Sequence, residues 1–172
     1  MYLLNGELFA EIDLDNALAQ LHQTLPHHLS TPLDSAVVLT AAGNFARHLH
    51  SAELPLDDEQ RLALIDFCQP HALQTKLERE LGDQADSLRR VDYQQSRFER
   101  WSPLGLVVHI TPANAPLLAF CAVVESLLAG NVNWLRPSRS DQGLTARLLR
   151  ALVDCDASGQ LAGHVAVIPA ST

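Results

Sequence analysis

Residues 103–138 read PLGLVVHITPANAPLLAFCAVVESLLAGNVNWLRPS, and the fold is decided here. The run Leu104–Ile110 is short, continuous and rich in β-branched residues, the pattern of a strand buried on both faces of a parallel sheet. A turn, Thr111–Pro116, follows. Leu117–Ala129 then has the length of a helix and is apolar almost all round, and Gly130 stands at the position glycine favours after a helix. Val132–Leu135 is a second short strand, leading into Arg136–Pro137–Ser138. Strand, crossover helix and strand within about thirty residues make a βαβ unit, and so a parallel α/β sheet.

The pattern continues downstream. Ser140 or Asp141 is placed to cap a helix with Leu144, Leu148, Leu149 and Leu152 in its apolar stripe, and His164–Ile168 reads as a third strand. Upstream, Asn5–Gly6 between Tyr2–Leu4 and Leu8–Ile12 predicts a β-hairpin, because a type I′ turn needs positive φ at both central positions. Four helices follow: one capped by Asp13 and ended by Pro26, one over Ser35–Leu49, one over Asp57–Phe67, and, after an interruption at Pro70, one over His71–Leu81 closed by Gly82. Residues 83–100 are polar and mixed in charge, with edge strands expected at Leu88–Tyr93 and Arg97–Trp101. The expected organisation is α/β: a hairpin plus helical region over residues 1–82, a connection over 83–102, and the first β-α-β-α-β part of an incomplete Rossmann-like sheet over 103–172. A sheet of this kind normally continues past its third strand, so a fragment of a longer protein is expected.

Composition narrows the function. The 172 residues are 47% hydrophobic and 19% charged, as in globular proteins, and 12 basic against 20 acidic residues leave a net charge of −8. No Lys/Arg stripe could neutralise phosphates, which argues against nucleic acid. No apolar run reaches bilayer length, and the N-terminus lacks the pattern of a signal peptide, so no membrane association and a cytoplasmic location are expected. Cys68, Cys121 and Cys155 are odd in number, lack metal-ligand spacing and have apolar neighbours, the signature of buried free thiols in a reducing compartment; no metal is expected. The turn Thr111–Pro116 holds no glycine, which excludes the usual G-x-G-x-x-G phosphate grip. Read alone, Asn114 shapes the turn ahead of Pro116 at the first helical position, and Arg136 and Arg139 are solvated surface cations.

Pro103–Leu104–Gly105, His109–Ile110–Thr111–Pro112–Ala113–Asn114–Ala115–Pro116, Leu128–Ala129–Gly130–Asn131 and Leu135–Arg136–Pro137–Ser138, in that order, resemble the aldehyde dehydrogenase superfamily. Within it, the His-Ile pair before the Asn turn, the helical region and the Asn5–Gly6–Glu7 hairpin are most similar to the acyl-CoA reductases of the bacterial bioluminescence type. The motif-bearing part covers about residues 103–170. The resemblance implies reduction of an acyl thioester to an aldehyde through a cysteine acyl-enzyme, with acyl-CoA or an acyl-protein as substrate and an acyl-transferring protein as partner. It makes Asn114 the side-chain donor to the oxyanion. It places Ile110, Thr111 and Pro112 along the cofactor cleft, and Arg136, Ser138 and Arg139 at the adenosine end. Arg136 replaces the family's lysine. Arg139 replaces the acid of NAD-preferring members, which implies NADPH over NADH. The nucleophile and the acid/base Glu of the family would lie beyond Thr172, so the chain alone is expected to be inactive; a homo-oligomer is expected. Two alternatives stay open. One is an assembly module using a sheet edge exposed beside His164–Ile168; the other is a general NAD(P)-dependent aldehyde dehydrogenase.

Overall fold

The computed structural model describes residues 1–82, 89–92, 94 and 96–169. Its elements are β1 (Tyr2–Leu4), β2 (Glu7–Phe9), α1 (Leu14–Ser30), α2 (Ser35–His48), α3 (Asp58–Phe67), α4 (Pro70–Leu81), β3 (Arg89–Asp92), β4 (Arg97–Glu99), β5 (Leu106–Ile110), α5 (Leu118–Leu128), β6 (Val132–Arg136), α6 (Leu144–Asp154) and β7 (Val165–Val167). Most helix starts follow from capping chemistry. Asp13, Asp34 and Asp57 each accept a backbone N–H in the first turn, and Asp57 forms a reciprocal capping box with Gln60. Pro70 is the first residue of α4, where its missing N–H costs nothing.

Five strands form one sheet in the order β2-β1-β7-β6-β5. The βαβ units give parallel β5–β6 and β6–β7 pairs, with Val108 opposite Trp134 and Trp134 opposite Ala166. The hairpin then adds antiparallel to β7, with Leu3 opposite Val167. This corrects the expectation of an exposed edge beside His164–Ile168: β1 occupies it. The edge strands among the described residues are β2, on the hairpin side, and β5. β3 and β4 form a separate two-stranded antiparallel sheet, and Leu88 and Tyr93, expected in its first strand, lie outside the described residues.

The two faces of the large sheet are covered unequally. On one, Leu3, Leu135, Val165 and Val167 join α5 and α6, with α2 stacked behind them against α3 and α4. Phe45 of α2 and Phe120 of α5, both fully buried, meet with ring centroids 5.2 Å apart. On the other, α1 packs through Ala17 and Leu21 on Leu4 and Ala166, with Trp134 and Ile168 alongside. That smaller cluster stops short of β5. Val108 is 58% exposed and Ile110 73%, so β5 is not buried on both faces as its apolar run implied. Its start also moves, from Leu104, itself 86% exposed, to Leu106.

Three further expectations are revised. α1 does not end at Pro26 but runs to Ser30, because tertiary contacts hold its last turn. His28 lies edge-on to His164 with ring centroids 5.2 Å apart, and its ring covers Gly163 so closely that a Cβ there would sit 2.1 Å from His28 Cε1. Pro116 is not the first residue of α5, which starts two residues later without a side-chain cap. The thiols are less uniform than expected: Cys68 is buried, whereas Cys121 and Cys155 are half-buried. All three are free. Among the described residues, no helix is long and apolar enough to cross a membrane.

Candidate functional site

In a parallel sheet the strand ends that carry ligands are the carboxyl ends, where strand-to-helix turns emerge. Here these are the turns after β5 and β6, and every residue assigned to a site from the sequence lies on one or the other. Ile110 and Arg136 are register partners at the ends of β5 and β6, and Thr111 N–H donates to the Arg136 carbonyl at 3.3 Å. Thr111 is half-buried, while Pro112 and Asn114 stand exposed on the turn. Beyond β6, Pro137 is buried and anchors the chain, Ser138 is half-buried, and Arg136 and Arg139 are exposed. Two exposed arginines therefore stand at the end of β6 and on the turn that follows it, next to the turn after β5 that carries Asn114.

Ser140, a cap candidate by its position in the sequence, connects the two turns. Ser140 Oγ lies 2.9 Å from Ser138 Oγ and 3.3 Å from the Ala113 carbonyl. Capping of α6 falls to Asp141, whose carboxylate accepts from Gly143 N–H at 3.1 Å, from Thr145 N–H and from the Thr145 hydroxyl. Both candidates named for the cap are thus employed, at different tasks. The spacing Ser138-x-Ser140 was the available signal for the bridge, but cannot by itself show that the second hydroxyl turns back towards the preceding strand.

Below the turns, β5 and β6 are tied by a polar network. His109 Nε2 is 2.9 Å from Asn133 Oδ1, buried Asn133 donates to the Asn131 carbonyl, and Asn131 accepts Gly105 N–H while donating to the Ser126 carbonyl. Since Asn133 Oδ1 can only accept, His109 Nε2 is the donor. This employs His109 in the strand pair. Glu125 pairs with Lys76, linking α5 to α4.

None of the three thiols is activated. Burial, reinforced by nearby Cys121, pushes the Cys68 thiol up to about 12. Burial and the Glu125 carboxylate raise Cys121 to about 11 against the opposing charge of Lys76. Burial and Asp154 raise Cys155. A thiol needs a lowered pKa to act as nucleophile near neutral pH, so the chemistry open to these turns is binding and oxyanion stabilisation, not thiolate attack. Among the described residues, no group of three or more His, Cys, Asp or Glu side chains converges as a metal site. A cavity of about 540 Å³ lies near Asp34, Trp101, Leu104 and Gly130, at the opposite end of β5 from Asn114, and plays no part in this arrangement.

Comparison with known proteins gives the same picture. Residues 37–172 match the family model described as acyl-CoA reductase (LuxC). Among solved structures, a protein of Sinorhizobium meliloti 1021 assigned as a methylmalonate-semialdehyde dehydrogenase, complexed with NAD, is similar at 14% identity and a TM-score of 0.66, over 99% of this chain and 41% of that one. The aldehyde dehydrogenase KauB of Pseudomonas aeruginosa is similar at 19% identity and a TM-score of 0.64, over 98% and 40%. The glyceraldehyde-3-phosphate dehydrogenase GapN of Methanocaldococcus jannaschii, complexed with NADP, is similar at 17% identity and a TM-score of 0.60, over 99% and 40%. A search of curated proteins gave no match. The chain thus spans about two fifths of the length of the dehydrogenases whose fold it shares. Its mixed α/β architecture is that of the aldehyde dehydrogenases, and the chain belongs to the acyl-CoA reductase (LuxC) family.

Proposed function

We propose that this chain is the N-terminal part of a cytoplasmic, NADP-dependent reductase that converts an acyl thioester, carried by CoA or by a protein, into an aldehyde. On this reading residues 1–82 and 83–102 support a nucleotide-binding part that begins at residue 103, and a homo-oligomer is the working assembly. The observation that carries the reading is that the turn bearing Asn114 and the turn bearing two exposed arginines lie side by side at the carboxyl ends of β5 and β6. The raised thiols at Cys68, Cys121 and Cys155 support placing the nucleophile elsewhere in the protein.

The residues present suit a nicotinamide dinucleotide with a 2′-phosphate. Arg136 and Arg139 supply fork-shaped donors to a phosphate, and no carboxylate stands at either position to repel it. Ser138 adds a hydroxyl beside them, and Ile110, Thr111 and Pro112 offer an apolar wall with backbone groups along the cleft. When bound, the cofactor serves as the hydride donor of the reaction. Asn114 has a different task. Attack of a thiolate on the acyl carbonyl places negative charge on its oxygen, and a neutral amide N–H aimed at that oxygen stabilises the charge without having to give up a proton. Collapse of the adduct expels the CoA thiolate and leaves the acyl-enzyme for reduction.

The test is fluorescence titration of the longer gene product, and of these 172 residues, with NADPH and with NADH at fixed salt. Tight NADPH binding by the longer protein, weakened about 10- to 100-fold by combined Arg136→Ala and Arg139→Ala while NADH binding changes little, is the expected result. Equal loss of both nucleotides would overturn the 2′-phosphate assignment. Absence of any nucleotide binding by the longer protein would overturn the reductase reading itself.

A further inference from the structure

The turn that carries Asn114 has few restraints. It holds Pro112 and Pro116, neither of which can donate a backbone hydrogen bond. Among the described residues, Thr111 N–H ties its start to Arg136, and Leu118 N–H donates to the Ala115 carbonyl at its end. Between these, the described tether to another element is the bond from Ser140 to the Ala113 carbonyl.

The direction of that bond is fixed by chemistry. A carbonyl only accepts, so the single Ser140 proton goes to Ala113. Ser140 Oγ therefore accepts from Ser138, and the chain runs from the Ser138 hydroxyl through the Ser140 hydroxyl to the Ala113 carbonyl. The Ala113 carbonyl and the Asn114 N–H belong to one planar peptide group, so whatever holds the first orients the backbone from which the Asn114 side chain springs. We propose that Ser140 is a positioning residue: its hydroxyl locks the loop bearing Arg136, Ser138 and Arg139 to the turn bearing Asn114. It thereby aligns the amide with the nucleotide end of the site. This rests on the reading of Asn114 as the oxyanion donor. It also makes Ser138 a residue with two allegiances, since a ligand that draws its proton releases Ser140 from it.

The experiment combines two readouts. In the longer gene product, Ser140→Ala should lower kcat about 3- to 10-fold, the loss of one modest hydrogen bond, with a smaller change in the KM for NADPH. Ser140→Thr, which keeps the hydroxyl, should restore kcat to within about twofold of the parent. On an Asn114→Ala background, Ser140→Ala should cost nothing further, because a positioning residue has no effect once the group it positions is gone. An equal loss in both backgrounds would overturn the inference. If Asn114→Ala alone leaves kcat unchanged, the oxyanion reading fails, and the decision passes to the 172-residue chain. There, backbone NMR should show increased picosecond-to-nanosecond motion at the Asn114 amide in Ser140→Ala and not in Ser140→Thr. An amide of unchanged mobility in Ser140→Ala would refute the tether whatever the reaction proves to be.

Discussion

On one side of the large sheet a hairpin from the far end of the sequence covers β7 and leaves the short β2 as the outer strand. On the other, β5 offers its backbone with Val108 and Ile110 exposed beside it. The two faces repeat the asymmetry. Two layers of helix lie over Leu135 and Val167, whereas α1 alone covers Leu4 and Ala166 and leaves Val108 outside its cluster. An apolar strand is thus an unfinished surface at β5 and a finished core at β7, although the two read alike in sequence. Burial is a property of what arrives to cover a strand, not of the strand's own composition.

The contrast can be attacked experimentally. The largest effect is expected on the finished side. Phe120→Ala, which removes a fully buried ring packed against Phe45, should cost about 3–5 kcal/mol in urea denaturation. The hairpin should be next. Gly6 has φ of 79°, and a Cβ there would lie 3.1 Å from Ala162 Cβ and 3.3 Å from Val153 Cγ1. Gly6→Ala should therefore cost about 1–2 kcal/mol from its backbone conformation alone and speed amide exchange in β7 by loosening the hairpin. A β7 that exchanges no faster would mean that the hairpin does not protect that strand.

A smaller effect is expected where α1 meets the sheet. Burial, then His164, then His27 hold the His28 imidazole below its usual range. The unfolded chain takes up this proton more readily than the folded one, so stability is complete above about pH 6.5 and falls as pH drops through that value towards the folded pKa. Facing it, His164 Nδ1 donates to the Gln160 carbonyl at 2.9 Å. The urea midpoint should therefore fall between pH 7.5 and 5.5, and His28→Gln should reduce the fall. An identical fall in the variant would remove His28 from the account. The smallest effect belongs to the open side. Val108→Thr should change stability by no more than about 0.5 kcal/mol, as for an exposed position. A loss comparable to that of Phe120→Ala would mean that Val108 is covered in solution.

How much of this was legible in the sequence depended on whether the cause was local. The crossover helix α5 and the strands beside it follow from apolar runs of the right length, the hairpin from Asn5–Gly6, and the start of α1 from Asp13. The docking of the hairpin on β7 was not legible, because it rests on a pairing of Leu3 with Val167 that no local pattern announces. Pro26 misled for the same reason: the contacts that carry α1 past it come from Gly163 and His164. At the site, the turn and the arginines stand out as residues, but their roles came from a resemblance, and Ser140 was legible only as a cap. A hydroxyl can serve its own helix or reach across to a neighbouring strand, and only the geometry of both turns distinguishes the two.

The pairing of Leu3 with Val167 also sets an order of events during synthesis. A ribosome adds about 5–20 residues per second, so the hairpin emerges on the order of 10–30 s before the strand that will receive it. Through that interval β1 has a ready edge and no native partner, while the helices that follow can gather their local contacts. Closing so long a loop is slow compared with helix formation, which makes the docking of the hairpin a late step. A nascent chain stalled before β7 would carry an unmatched apolar hairpin, the kind of surface on which chaperones act.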